Sequence, residues 1–436
     1  MSAEAEIRRR ILHRGAITFA EFMDVALFWP QGGYYLDRQT VGASGDFYTS
    51  PHAHPVFGAL LATQLYQMWQ LMGEPDPFTV VEMGAGSGLL CRDLLDYAAN
   101  LPGNFARSVR YICMDRQRAA GAERDQAIGG REPGAARIAA MVPAPISSGL
   151  LDQGKQLTIP LRGVRGCFFS NELLDAFPVH QLSQVEGHLK ETYVTLKGDE
   201  LATTLDAPST TALADRLESL GIELAEGQTV EISLGIEYWS EQVADSLDAG
   251  FVLTIDYGHL APELYSAERR PRGTLTTYYR HAQTDVPLQR IGRQDMTAQV
   301  DFTTVAESGR RFGLEPLGLA SQRKFLANLG LEQFRRRLNS LGLDQRRFLA
   351  NNAGMLEIAR PGGLGDFKVL VQSKNVERPV LWCFEPSEEA VEMAQKKPVP
   401  LLRTDHIPLA EARYPHAGME CDQPWPGSEG DRLPTG

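Results

Sequence analysis

Paired cysteines, an excess of positive charge and long apolar runs are all missing from this chain of 436 residues, and each absence removes a class of protein. The five cysteines (Cys91, Cys113, Cys167, Cys383 and Cys421) form no CxxC pair, and an odd count cannot close a full disulfide framework. That excludes a zinc ribbon and favours a reducing compartment. No stretch approaches the roughly 18 apolar residues of a membrane helix. Met1 to Gly15 sets glutamates beside its arginines and lacks the apolar centre of a secretory leader. The expectation is a cytoplasmic protein without membrane insertion. Lys and Arg number 43 against 55 Asp and Glu, a net charge of −12. No cationic cluster stands out for a phosphate backbone, so nucleic acid is not expected as a partner and a cationic one suits better.

What is there suggests two or three structural units, or one large α/β domain with insertions. Ile7 to Phe28 is amphipathic and helical, broken at Gly15, with Thr18 as an N-cap. A Gly, Pro and aromatic-rich loop follows, then an apolar helix from Val56 to Met72. A βαβ pattern begins at Phe78: strand, glycine turn, helix from Leu89 to Ala99, and a second strand from Val109 to Met114. Two more buried strands end at Asn171 and Asp256, and Phe367 to Val371 makes a last one. Val179 to Leu201 alternates polar and apolar residues around Glu186-Gly187 and Lys197-Gly198, which reads as antiparallel hairpins of an inserted cap. Phe325 to Phe348 reads as helix with an arginine-rich polar face, solvated at Arg335-Arg336-Arg337. Nine of the 26 prolines fall in the last 61 residues, so 376–436 reads as an extended or partly disordered tail. The expected organisation is an N-terminal helical segment with a lid loop over 1–75, a core over 76–375 with a cap at about 179–250, and the tail.

The string Val80-Val81-Glu82-Met83-Gly84-Ala85-Gly86-Ser87-Gly88-Leu89 runs strand into glycine turn into helix. Positive φ and close ligand approach leave no room for a Cβ there. A dinucleotide fingerprint needs Gly-x-Gly-x-x-Gly, but the sixth position is Leu89. Glu82 would repel a pyrophosphate yet attract the ammonium of a methionine moiety, so S-adenosylmethionine is the expected cofactor. Gly84, Ala85, Gly86 and Gly88 would cradle it, and Asp115 would hold the ribose. The plainer alternative is a tight turn and an exposed strand-end acid.

Beyond that string, the chain resembles the MidA family of S-adenosylmethionine-dependent methyltransferases, which includes the mitochondrial complex I assembly methyltransferases. The resemblance spans roughly residues 7 to 375. It is carried in order by Ile17 to Met23, Gly33-Tyr34-Tyr35, Gly45 to Pro51, Glu82 to Gly88, Asn171 to Pro178, Asp256-Tyr257-Gly258, Gly273-Thr274-Leu275, Tyr278 with His281, and Gly292 to Phe302. It implies a Rossmann-like class I methyltransferase sheet of seven strands with N-terminal helices and an inserted antiparallel and helical cap. It also implies arginine methylation of a protein partner such as a respiratory complex I subunit. A scaffold that binds the cofactor without catalysis, or a small-molecule methyltransferase, remains an alternative. A homodimer is left open.

Methyl transfer from a sulfonium is an in-line displacement, needing alignment and exclusion of water rather than a metal. A guanidinium acceptor additionally needs carboxylates to orient its fork and favour loss of a proton. Glu172 and Asp175 supply two and would share a face of a helical turn, with Asn171 polarising the acceptor or touching the cofactor. Asp256 and Tyr257 end another strand on the same edge and are placed at the site. In the alternative reading, Asn171 caps a helix, the acids complement its dipole, and Asp256 and Tyr257 brace a loop. Gly45 and Thr49, ahead of a helix, are expected to close over the methionine carboxylate. His52 and His54 read as surface histidines and not metal ligands. Tyr278, Tyr279 and His281 read as packing, with an acceptor channel as the alternative.

Overall fold

The computed structural model describes residues 1–37, 48–115, 159–279 and 282–409, together with the backbone of a strand at 137–143. Seven strands form one sheet: β2 (Phe78–Met83), β3 (Val109–Asp115), β4 (Arg137–Pro143), β5 (Val164–Asn171), β10 (Leu247–Asp256), β16 (Glu315–Ser321) and β17 (Lys368–Lys374), in the order β16-β17-β10-β5-β2-β3-β4. The strands from β10 to β4 run parallel, while β17 is antiparallel to both neighbours. β2 is buried at every position, as a strand covered on both faces must be.

Two apolar layers cover the sheet. On one face the helix Val56–Leu71, buried on every side from Val56 to Trp69, packs with Leu89–Ala98 over Val80, Tyr111, Phe169 and Leu253. A helix apolar all round belongs in a core. On the other face Gly235–Ser246 and Phe302–Arg311 cover Val81, Ile112, Phe168 and Val252.

The cap is a five-stranded sheet of β1 (Ala16–Thr18), β6 (His180–Val185), β7 (His188–Lys197), β8 (Glu200–Asp206) and β9 (Thr229–Ile232), with antiparallel pairings throughout. β1 comes from the N-terminus, where Thr18 caps Phe19–Phe28 by accepting from Glu21 N. That helix packs on Val179 and Val194 of the cap, whereas Val56–Leu71 belongs to the main core. The first 75 residues are thus divided between two layers. The cap sheet ends at Ile232; Gly235–Ser246, expected within the insertion, is amphipathic and buries Ile236, Trp239 and Val243 on the main sheet.

Two further expectations change. The long helix expected from Phe325 breaks at Gly330, whose φ of 105° suits only glycine, into Gln322–Asn328 and Leu331–Arg337, with Gln345–Glu357 following. Arg335 and Arg336 pair with Glu332 on the surface, while Arg337 donates to the carbonyls of Ala394 and Lys397. Residues 376–409 are no loose tail: Leu381, Cys383, Met393, Ala394 and Val399 are buried in the main core, and Ser387 caps the helix Glu388–Lys396. The prolines punctuate a packed segment. Residues 410–436 lie outside the described residues.

Candidate functional site

The glycine turn sits at the carboxyl end of β2, an inner strand between β5 and β3. Gly84, Gly86 and Gly88 have φ of 76°, 52° and 75°, a run that side chains rarely tolerate. Gly84 N and Ala85 N donate to Met114 O at 2.8 and 3.2 Å, and Gly86 N donates to Asp115 Oδ2 at 2.6 Å. A Cβ on Gly84 would come within 2.9 Å of Leu173 Cδ1, but one on Gly86 would meet nothing within 4 Å. The turn therefore has a packed side at Gly84 and an open side at Gly86, with Asp115 beside the opening. A turn open at Gly86 and bordered by a carboxylate fits an adenosyl cofactor. Glu82, expected at the methionine ammonium, is 4% exposed and accepts from Tyr111 Oη at 2.7 Å. Burial, joined by the charge of Asp115, pushes its carboxyl up to about 8.

A second cluster lies one strand away. Asn171 ends β5, and Glu172 follows at φ 53°, with its N–H donating to Ile255 O at 2.9 Å. The helical turn expected here is a short 3-10 turn, Leu174–Ala176. Its shape is set by Asp256: Oδ2 accepts from the N–H groups of Leu173, Leu174 and Asp175 at 3.0, 2.9 and 3.4 Å, and Oδ1 from Tyr257 N at 2.9 Å. Asp256, expected among the reacting groups, is fully buried and committed to this clamp. Tyr257 Oη donates to Asp175 Oδ2 at 2.7 Å, and its ring leans on Phe367.

Two oxygens in the cluster remain unpartnered although buried: Asn171 Oδ1 and Asp175 Oδ1. Asn171 uses its Nδ2 to reach Glu172 Oε1 at 3.0 Å, which turns its carbonyl oxygen free. Burial, then the charge of Asp175, pushes Glu172 up to about 8; burial likewise pushes Asp175 up to about 6, opposed by the Tyr257 hydroxyl. Buried acceptors without donors are costly, and they are met at sites built for a cation or a multiple donor.

The sequence did not single out Tyr35 and Asp295. Tyr35 Oη donates to Asp295 Oδ1 at 2.8 Å, and Asp295 pairs across strands with Tyr278, in β12 (Thr276–Tyr279) and β14 (Asp295–Thr297). Burial and the charges of Asp295 and Asp175 raise both tyrosines, so Tyr278 lies near these carboxylates. Both residues stand in strings that carry the family resemblance, yet no local pattern tells that they meet β5. Thr49 N-caps the short helix Ser50–Ala53 without a side-chain cap bond, its Oγ1 lying 2.9 Å from His52 Nδ1. Gly45 and His281 lie outside the described residues. His54, expected at the surface, is fully buried, its Nε2 3.1 Å from Asn351 Oδ1; burial holds it down at about 3. Among the described residues no group of three or more His, Cys, Asp or Glu is placed to hold a metal, and no helix is long and apolar enough to cross a membrane.

A seven-stranded sheet of this order, with an antiparallel seventh strand and a glycine turn after the first of its strands in the chain, defines a class I methyltransferase. The model of the S-adenosyl-L-methionine-dependent methyltransferase family Methyltransf_28 matches residues 60–320, and the chain belongs to that family, the MidA-like methyltransferases. It is 29% identical over 310 residues to the mitochondrial protein arginine methyltransferase NDUFAF7 homolog of Drosophila melanogaster, covering 70% of this chain and 69% of that one. It is 28% identical over 341 residues to the Homo sapiens protein, covering 73% and 71%. The crystal structure of a COG1565 superfamily member from Burkholderia thailandensis, bound to S-adenosyl-homocysteine, matches with a TM-score of 0.74 at 27% identity, covering 88% of this chain and 94% of that one. The chain is an S-adenosylmethionine-dependent methyltransferase. The arginine methyltransferase relatives are mitochondrial proteins, and this overturns the cytoplasmic expectation drawn from the first fifteen residues.

Proposed function

We propose that this methyltransferase modifies an arginine side chain of a protein. One observation carries the reading: Asn171 Oδ1 and Asp175 Oδ1 are buried, unpartnered and adjacent to Glu172. Two unpartnered acceptors beside the Glu172 carboxyl at one strand end suit a planar fork of N–H donors better than a hydroxyl or thiol. The names of the curated relatives agree with this choice.

When bound, the cofactor supplies a methyl group on a sulfonium. The open face at Gly86 would receive it, with Gly84, Ala85 and Gly88 shaping the turn, Asp115 available to the ribose hydroxyls and Thr49 to the methionine end. Glu82 would supply the carboxylate for its ammonium. Glu172 and Asp175 grip the guanidinium and Asn171 fixes its orientation. Tyr257 holds Asp175, and Asp256 holds the turn that carries both. Glu172, ionised by the charge of the bound guanidinium, is the group that receives the proton lost on transfer.

The test is transfer of a labelled methyl group from S-adenosylmethionine into a protein extract, followed by amino-acid analysis. Label in methylarginine is the expected result. Label in another residue, or only in small molecules, overturns the reading. Glu172→Gln should lower transfer by about 100-fold or more while S-adenosylhomocysteine affinity, read by calorimetry, changes by less than about twofold. Transfer that survives this substitution would remove Glu172 from the chemistry.

A further inference from the structure

Far along the chain, residues 402–407 cross two elements that border the site. Arg403 forms ion pairs with Asp93 and Asp96 on Leu89–Ala98, the helix that leaves the glycine turn. His406 is buried; its Nδ1 accepts from Arg403 N at 3.2 Å, so Nε2 carries the proton and donates to Asp93 Oδ2 at 2.8 Å. One residue on, Ile407 N donates to His52 O at 2.9 Å, which ties the same strap to the helix Ser50–Ala53. Leu402 N is taken by Asn351 Oδ1, the atom that also meets His54 Nε2. Asp93 itself is buried and lies under Gly58. The strap is therefore bonded at one end to the cofactor helix and at the other to the segment whose Ser50 backbone faces the Glu172 carboxyl.

We propose that Arg403 and His406 are positioning residues for methyl transfer: through Asp93 and His52 they fix the Ser50 segment against the cofactor helix and so hold the Ser50 backbone at Glu172. The inference rests on the reading of Glu172 as the acceptor carboxylate. Nothing in the strap touches the reacting atoms. Its action runs through backbone placement, since a polar backbone group aimed at a buried carboxylate favours the ionised form and fixes its direction. The groups facing Glu172 besides Ser50 are Asn171, Asp175, Asp256 and Tyr278, and none of them is hydrogen-bonded to the strap. Gln322 Nε2, bonded to Ser50 Oγ at 2.9 Å, anchors the segment from the other side. Loss of the strap therefore loosens the Ser50 segment without releasing it.

The experiment compares the full chain with Arg403→Ala, His406→Ala and His406→Gln. Gln is chosen because it keeps an amide donor for Asp93. Two quantities are read: the titration of Glu172 by carboxyl 13C NMR, assigned by its loss in Glu172→Gln, and amide exchange of residues 48–54. In both Ala variants the Glu172 midpoint should rise by at least half a pH unit (about threefold in its proton affinity), and exchange of the segment should quicken about tenfold or more. His406→Gln should restore most of both. If the Ala variants melt lower but leave the Glu172 midpoint and the exchange where they were, the strap is only structural and the proposal fails. If Glu172→Gln leaves labelled transfer intact while the strap variants still shift the midpoint, it is the reading of Glu172 that fails instead.

Discussion

A glutamate at φ 53° stands in a conformation that glycine would adopt at less cost, and Glu172 carries a buried carboxyl there as well. Both features weigh against the folded state and are retained at the site of chemistry. Glu172→Gly should therefore raise the melting temperature by a few degrees, an effect of about 1 kcal/mol, while abolishing transfer. Calorimetric melting and a methyl-transfer assay check the pair. The glycine turn gives a contrast between neighbours. Gly84→Ala drives a Cβ into Leu173 at positive φ and should destabilise by about 1–2 kcal/mol, whereas Gly86→Asn, a residue type that tolerates positive φ and meets open space here, should cost less stability, fill the open face and weaken S-adenosylhomocysteine binding by more than about tenfold. Denaturant melts and calorimetry separate the two. Glu82 and Glu172 also set a pH dependence. Burial moves each from 4.5 to about 8 in the ligand-free fold, so folding favours their protonated forms. The stability they contribute is complete below about pH 4.5 and is lost as pH rises through 8. Urea midpoints should fall between pH 6 and 9, and Glu172→Gln should flatten part of that fall.

At the scale of elements, the sheet was legible because buried parallel strands read as apolar runs that end in functional residues. Val80-Val81 before the glycines, Phe168-Phe169 before Asn171 and Leu253 to Ile255 before Asp256 all lie in the strands expected of them. Thr18 was legible as a cap because its partner is three residues away. The role of Asp256 was not, since the N–H groups it binds belong to Leu173, Leu174 and Asp175, more than eighty residues earlier, and a strand-end acid looks the same whether it clamps or reacts. The meeting of Tyr35 with Asp295 was hidden for the same reason: it joins distant strings through a cap that sequence does not dock. Asp256→Ala leaves those buried donors unmatched and should cost on the order of 3 kcal/mol, with transfer reduced along with stability. A denaturant midpoint measured beside the rate tests this. If activity vanishes with stability unchanged, Asp256 reacts directly.

For the whole molecule, the part least legible was the stretch after Asn375. Its prolines and charges suggested an open tail, yet Leu381, Cys383, Met393, Ala394 and Val399 complete the layer that covers the main sheet beside Val56–Leu71. Composition counts the prolines but not the short apolar segments between them, and those segments decide the packing. Ending the chain at Asn375 would expose that layer and should abolish cooperative folding, a loss visible in expression level and in a broadened thermal transition. The packing also sets a schedule for biosynthesis. The ribosome releases the last strand of the sheet, β17, some seconds before the residues that seal it, at roughly 5–20 residues per second. Until those residues emerge, the growing polypeptide holds its cofactor turn over an unsealed hydrophobic face, so the enzyme becomes competent only once Val399 has left the ribosome and depends on protection from aggregation until then.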